Sequence, residues 1–196
     1  MLTALVAAAA LFLQLALIVA TMTAGGATWA EAVWRFLGFF TILTNGAVAV
    51  VAGAMAMRPR SPLAGPRARL AAVVAIVVVG LVYSIALRAI GHPTGWQAVA
   101  DHALHDATPP LFFVAWLASE HGALRWRDLW IALAAPSAYC IYALTRGAFD
   151  GWYAYWFLDP RSLSAMAMVS NIALLLAVFL AVAAIFNALD RWLGAR

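Results

Sequence analysis

Residues 2–22 read Leu2-Thr-Ala-Leu-Val-Ala-Ala-Ala-Ala-Leu-Phe-Leu-Gln-Leu-Ala-Leu-Ile-Val-Ala-Thr-Met22, without a single charged side chain. A membrane-spanning helix needs about 20 predominantly apolar residues, and this stretch supplies them without a break. It is long for the apolar core of a secretory signal, about 7–15 residues, and no basic segment precedes it. It is therefore read as a first transmembrane helix. Runs of the same kind follow at 33–57, 69–90, 100–119, 128–146 and 162–189. Helix breakers separate them: Ala24-Gly25-Gly26, the segment Pro59 to Pro66, Gly91-His92-Pro93, Glu120-His121-Gly122, and Asp150 to Pro160. The expectation is an all-α integral membrane protein, one domain over residues 1–196 with six transmembrane helices.

The composition agrees. Of 196 residues, 66% are apolar and 10% charged, and the mean hydropathy is +0.93. A soluble domain is about one-quarter charged and about half apolar, and a disordered chain is poor in apolar residues. Both classes are excluded. The lone Cys140 excludes an intramolecular disulfide, a CxxC motif and dithiol redox chemistry.

The net charge is +4, and all 12 basic residues are arginine. Nucleic-acid binding needs cations clustered on one accessible face, whereas these lie in short segments beside apolar runs. They report topology instead. Arg58, Arg60, Arg67, Arg69, Arg125, Arg127, Arg191 and Arg196 fall on one side of a six-pass arrangement. Arg35, Arg88, Arg146 and Arg161 fall on the other. The positive-inside rule then puts both termini in the cytoplasm. The lysine-free composition points to a GC-rich bacterial genome, and so to a bacterial inner (plasma) membrane.

Polar residues inside such helices carry the functional information. In the second, Thr41, Thr44 and Asn45 share one stripe at i,i+3 and i,i+4 spacing. Threonine and asparagine of this kind commonly hydrogen-bond a neighbouring helix. The fourth reads Asp101-His-Ala-Leu-His105-Asp-Ala-Thr-Pro-Pro110, placing His102, His105 and the two aspartates on adjoining strips, with a proline kink below them. Three roles fit His105: a general base, a metal ligand with His102 and an aspartate, or a solvated residue at a helix start. At overlapping depth lie Tyr83, Ser84 and Arg88 in the third helix, Tyr139, Tyr142, Thr145 and Arg146 in the fifth, and Ser164, Ser170 and Asn171 in the sixth. Arg88 and Arg146 suit ion pairing at the interface. The aromatic run Trp152 to Phe157 fits an interfacial belt or a lid over an amphiphile.

Three segments together resemble the androgen-induced-gene-one-like family of multi-pass membrane proteins, including its small bacterial six-helix relatives. They are Phe39-Phe-Thr41-Ile-Leu-Thr-Asn45, His102-Ala-Leu-His105-Asp-Ala-Thr-Pro-Pro110 and Gly151-Trp-Tyr-Ala-Tyr-Trp-Phe-Leu-Asp159. The resemblance covers about residues 33–175. It implies a membrane-embedded hydrolase with a threonine nucleophile and a histidine partner, which fall on Thr41 and His105. Characterised animal members cleave fatty acid esters of hydroxy fatty acids. Those relatives carry an acidic residue where this chain has Thr44, and a proline where it has Trp156.

The expected chemistry is attack by Thr41 on a lipid ester, with His105 as base and then acid. Asp101 or Asp106 would orient the imidazole, with His102 nearby, and Thr44, Asn45 or Asn171 would donate to the oxyanion. No cofactor is called for. The partners are the lipid or fatty-acyl ester substrate and membrane lipids. Two rivals make different use of the same residues: a metal-dependent lipid hydrolase built on His102, His105 and an aspartate, and a non-catalytic lipid-binding protein whose polar stripe only joins helices.

Overall fold

Alanine and leucine are the strongest helix formers and dominate the first apolar run. In the computed structural model, which describes residues 1–196, they form α1, Leu2–Ala24. At 1.5 Å per residue its 23 residues extend about 35 Å, enough for a hydrocarbon core of about 30 Å. The remaining helices are α2 (Trp29–Leu37), α3 (Phe40–Met57), α4 (Pro66–Val82), α5 (Gly95–His102), α6 (Thr108–Leu117), α7 (Leu129–Asp150) and α8 (Ala165–Gly194). Wide π-helical turns at Tyr83–Leu87 and Ala103–Ala107 extend α4 and join α5 to α6. The chain has no strand.

Five helical segments are long and apolar enough to cross a membrane: Leu2–Ala24, Phe40–Met57, Pro66–Leu87, Trp126–Asp150 and Ala165–Gly194. The sequence suggests six. The expected helix 100–119 falls on α5, a π turn and α6, and its N-terminal part carries Asp101, His102, His105 and Asp106. Those four polar side chains dilute its apolar character.

A second difference concerns the expected helix 33–57, which is two helices. Gly38 closes α2, and Phe39 takes an extended conformation (φ −95°, ψ 130°) before α3 begins. A capping box starts α2: the Thr28 hydroxyl accepts from the Glu31 amide at 3.2 Å, and the Thr28 amide donates to the Glu31 carboxylate at 2.6 Å. Bonds from the Thr28 amide and hydroxyl hold the Glu31 carboxyl below the usual carboxylate range. The α2 helix is amphipathic, with Ala32 and Phe36 buried and Trp29 and Trp34 exposed. A bulky two-faced helix of this kind suits the membrane interface.

The chain divides into two compact units, Met1–Glu120 and His121–Arg196. In the first, α1 packs on α3, α5 and α6, and α4 packs on α3 and α6. Its interior is built from Val48, Leu70, Val73, Val74, Ile76, Phe112 and Trp116. In a lipid solvent, close packing and interhelical hydrogen bonds hold such helices together. Gly80 is one point of close approach. A Cβ there would lie 3.3 Å from the Pro109 ring and 3.4 Å from the His105 carbonyl oxygen.

The second unit pairs α7 with α8. Buried Asp190 accepts from the backbone amides of Gly122 and Leu124, each at 3.0 Å, and pairs with His121 at 3.2 Å. The Asn187 amide donates to the Arg125 carbonyl at 2.9 Å. Gly122 has φ +91°, and its backbone lies directly against Gly194. The turn after α7 is fixed by ion pairs: Arg146 with Asp150 at 3.2 Å and Arg161 with Asp159 at 2.7 Å. The Arg161 guanidinium holds the Asp159 carboxyl below its usual range.

Candidate functional site

The break at Gly38–Phe39 puts Thr41 in the first turn of α3 rather than in the middle of a longer helix. There the Ile42 and Leu43 amides bond back to the Phe39 carbonyl at 3.1 and 3.3 Å, and the amides ahead of them are those that a helix start leaves without an intrahelical acceptor. The Thr41 side chain is buried (8% exposed) and faces the π turn Ala103–Ala107. Two prolines create that turn. Pro109 and Pro110 have no amide hydrogen, so the helix widens ahead of them. The Thr108 amide bonds back to the Ala103 carbonyl, and the Thr108 hydroxyl reaches the same oxygen at 2.8 Å. Wide turns of this kind recur at functional sites, and this one carries His105.

Thr41 Oγ1 lies 3.3 Å from His105 Nε2. On the other side of the ring, His105 Nδ1 is 3.2 Å from Asp101 Oδ1 and 3.0 Å from the Asp101 carbonyl oxygen. Both potential acceptors for Nδ1 therefore belong to one residue. Nδ1 acts as the donor toward Asp101, which leaves the Nε2 lone pair facing the Thr41 hydroxyl. Tyr83 closes the arrangement. Its hydroxyl donates to Asp101 Oδ2, and its ring stacks on the imidazole with centroids 4.0 Å apart and planes 10° from parallel.

The four ionisable residues of this helix sort into two groups. Asp101 serves His105. Asp106 pairs with His102 at 2.7 Å and with Arg88, nearer the exposed edge. The guanidinium of Arg88 also lies 4.7 Å from the centroid of the Tyr83 ring. Of the two carboxylates that could orient His105, the structure brings Asp101 to it. His102 is 60% exposed and bonds away from the Thr41 hydroxyl. No three of the histidine, cysteine, aspartate and glutamate side chains are grouped so as to hold a metal ion, so His102, His105 and an aspartate do not form a ligand set here.

The residues expected to support an oxyanion are Thr44, Asn45 and Asn171. The Asn45 amide donates to the Thr41 carbonyl at 2.9 Å and to the Leu104 carbonyl at 3.4 Å. Both of its hydrogens are engaged, so it clamps α3 to the residue before His105. Its Oδ1 is buried without a partner. Thr44 is buried one turn on from Thr41. Asn171 lies in the second unit, where its amide bonds the Phe157 carbonyl at 3.1 Å. The aromatic run near it is ordered by its own stacking, Tyr155 on Phe157 and Tyr155 edge-on to Tyr139.

Sequence reasoning passes over Tyr83, which it names only for depth. The available signal is Gly80, one turn earlier, which lets α4 approach the helix carrying His105. No family model, curated protein or solved structure matches the chain.

Proposed function

We propose that this chain is a multi-pass membrane hydrolase that cleaves carboxylic ester bonds of lipids, with Thr41 as nucleophile and His105 as general base. The observation that carries the reading is the contact between Thr41 Oγ1 and His105 Nε2 at 3.3 Å, backed by Asp101 at 3.2 Å from Nδ1. A nucleophile, a base and an orienting carboxylate in sequence is the arrangement that activates an alcohol at neutral pH. In resting sites such bonds are commonly long and shorten when substrate is present.

Thr41 Oγ1 attacks the ester carbonyl carbon while Nε2 takes its proton. The tetrahedral intermediate then collapses, and the imidazolium gives that proton to the departing alkoxide. This leaves an acyl-threonine and a free alcohol. Water, deprotonated by the same nitrogen, attacks the acyl carbon; the bond from that carbon to Oγ1 breaks, the fatty acid leaves, and the imidazolium returns the proton to Thr41 Oγ1. Asp101 stays ionised and stabilises the imidazolium. The backbone amide of Thr41, in the first turn of α3, is the donor we assign to the oxyanion.

The finer topology belongs to the same proposal. With α5, the π turn and α6 as a sixth pass, both termini are cytoplasmic, and the dyad lies toward the outer face of a bacterial inner membrane. The androgen-induced-gene-one-like resemblance supports a fatty-acyl ester as substrate, including fatty acid esters of hydroxy fatty acids.

The test is turnover of long-chain esters by the full chain in proteoliposomes. Hydrolysis by wild type that Thr41→Ala and His105→Ala both abolish supports the reading. Hydrolysis that survives Thr41→Ala overturns it.

A further inference from the structure

We infer that Tyr83 is a positioning residue of this site, fixing both the plane of the His105 ring and the direction in which Nδ1 points. The inference rests on the hydrolase reading of Thr41 and His105. It starts from a weakness of histidine. The torsion that turns the ring is broad and nearly two-fold, so the backbone alone does not fix the imidazole. Yet the site needs Nε2 on Thr41 and Nδ1 on Asp101 at once, and turning the ring breaks both contacts together.

Tyr83 removes each freedom by a separate contact. The parallel ring at 4.0 Å sets the plane of the imidazole. Stacking cannot tell one ring nitrogen from the other, so the hydroxyl supplies that choice. By donating to Asp101 Oδ2 it holds the carboxylate with Oδ1 toward Nδ1. The flipped ring would exchange Nδ1 with Cδ2 and Nε2 with Cε1, turning C–H edges toward both Asp101 and Thr41 and losing both contacts. Arg88, at 4.7 Å from the Tyr83 centroid and paired with Asp106, helps hold the phenol ring.

The backbone explains why tyrosine reaches this place. Tyr83 opens the π turn Tyr83–Leu87, and His105 sits inside the π turn Ala103–Ala107. Gly80, one turn before Tyr83, lets α4 approach the His105 carbonyl and Pro109 closely enough for the rings to stack.

The test is a double-mutant cycle on the full chain, with a short-chain p-nitrophenyl ester as substrate and the melting temperature of each variant recorded. Tyr83→Phe keeps the stacked ring and loses the bond to Asp101; kcat falls about tenfold with KM unchanged. Tyr83→Leu loses both contacts and falls about a hundredfold. Because the hydroxyl acts through Asp101, adding Tyr83→Phe to Asp101→Asn costs no further activity.

Three results overturn the inference: wild-type kcat in both single variants, a change confined to KM, or losses that add fully on Asp101→Asn. If Tyr83→Leu does not fold, Tyr83→Phe and the cycle decide alone. Wild type no more active than Thr41→Ala removes the hydrolase reading and this inference with it. Thr41-dependent activity untouched by either Tyr83 variant removes this inference only.

Discussion

The side-chain amide of Asn45 on α3 donates to the main-chain carbonyl of Leu104, the residue before His105, while its other hydrogen holds the carbonyl of Thr41. One buried amide therefore ties the backbones on both sides of the dyad. Asn45→Ala removes the side-chain donor from both carbonyls; the Thr41 carbonyl stays in the α3 ladder, and the buried Leu104 carbonyl loses its donor, at about 1–3 kcal/mol for a buried group left unsatisfied. The expected outcome is a lower melting temperature together with slower ester hydrolysis. Asn45→Asp removes the amide donor while nearly keeping the shape, and is expected to behave like the alanine variant rather than like wild type. Thermal melts and initial rates on the same preparations check both.

Gly80 separates stability from activity. Alanine in a helix interior is ordinarily favoured over glycine by about 1 kcal/mol. Here the added Cβ meets Pro109 at 3.3 Å and the His105 carbonyl at 3.4 Å, so the helix carrying His105 must shift by a few tenths of an ångström. Gly80→Ala is expected to melt near the wild-type temperature and to lose roughly tenfold in rate, in line with the steep cost of misplacing reacting groups. Wild-type rates in a stable variant would show that this contact does not set the dyad.

The second unit makes a prediction about the fold alone. Gly122 has φ +91°, and a Cβ on it would lie 2.9 Å from the Gly194 Cα. Left-handed backbone costs an L-residue about 1–2 kcal/mol, and here the backbone contact adds to it. Gly122→Ala should lower the melting temperature clearly. Gly91→Ala, at a site with open space around the new methyl, should leave it nearly unchanged.

The capping box of α2 should respond to acid. The folded carboxyl of Glu31 sits below its ordinary value of 4.5 because the Thr28 amide and hydroxyl bind its ionised form. A lowered folded value means that the contribution is full above the unfolded value and is lost as pH falls through the folded one. Protection of the amides of residues 28–32, taken relative to the intrinsic exchange rate at each pH, should therefore fall as the pH drops below 4.5, and Glu31→Gln should flatten that dependence. Equal acid sensitivity in both would contradict the assignment.

Much of this was legible in the sequence, and the misses have physical causes. Length and hydropathy locate the apolar helices, because a spanning helix needs only enough apolar residues in a row. The break at Gly38–Phe39 is hidden because both flanks are apolar, although Thr28-Trp-Ala-Glu31 is a capping signal that marks a helix start ahead of residue 33. Helical spacing brings Thr41, His105 and the pair Asp101 and Asp106 forward as candidates, and it does not choose between the two aspartates. Nor does it reveal Tyr83, because its role depends on two π turns whose widths change which residues face each other. Depth and the stripe shared with Thr41 offer Asn45 as an oxyanion donor, but spacing does not show what a second helix brings to its amide. Only the carbonyls of Thr41 and Leu104 reveal its use.

The central claim is that the Thr41 oxygen is a nucleophile activated by His105. The most direct measurement is the site of covalent attachment of a serine/threonine-directed phosphonate probe, read by peptide mass spectrometry on wild type, Thr41→Ala and His105→Ala. The account predicts an adduct on Thr41 in wild type and none in either variant. Equal labelling in all three, or an adduct on another residue, would contradict it.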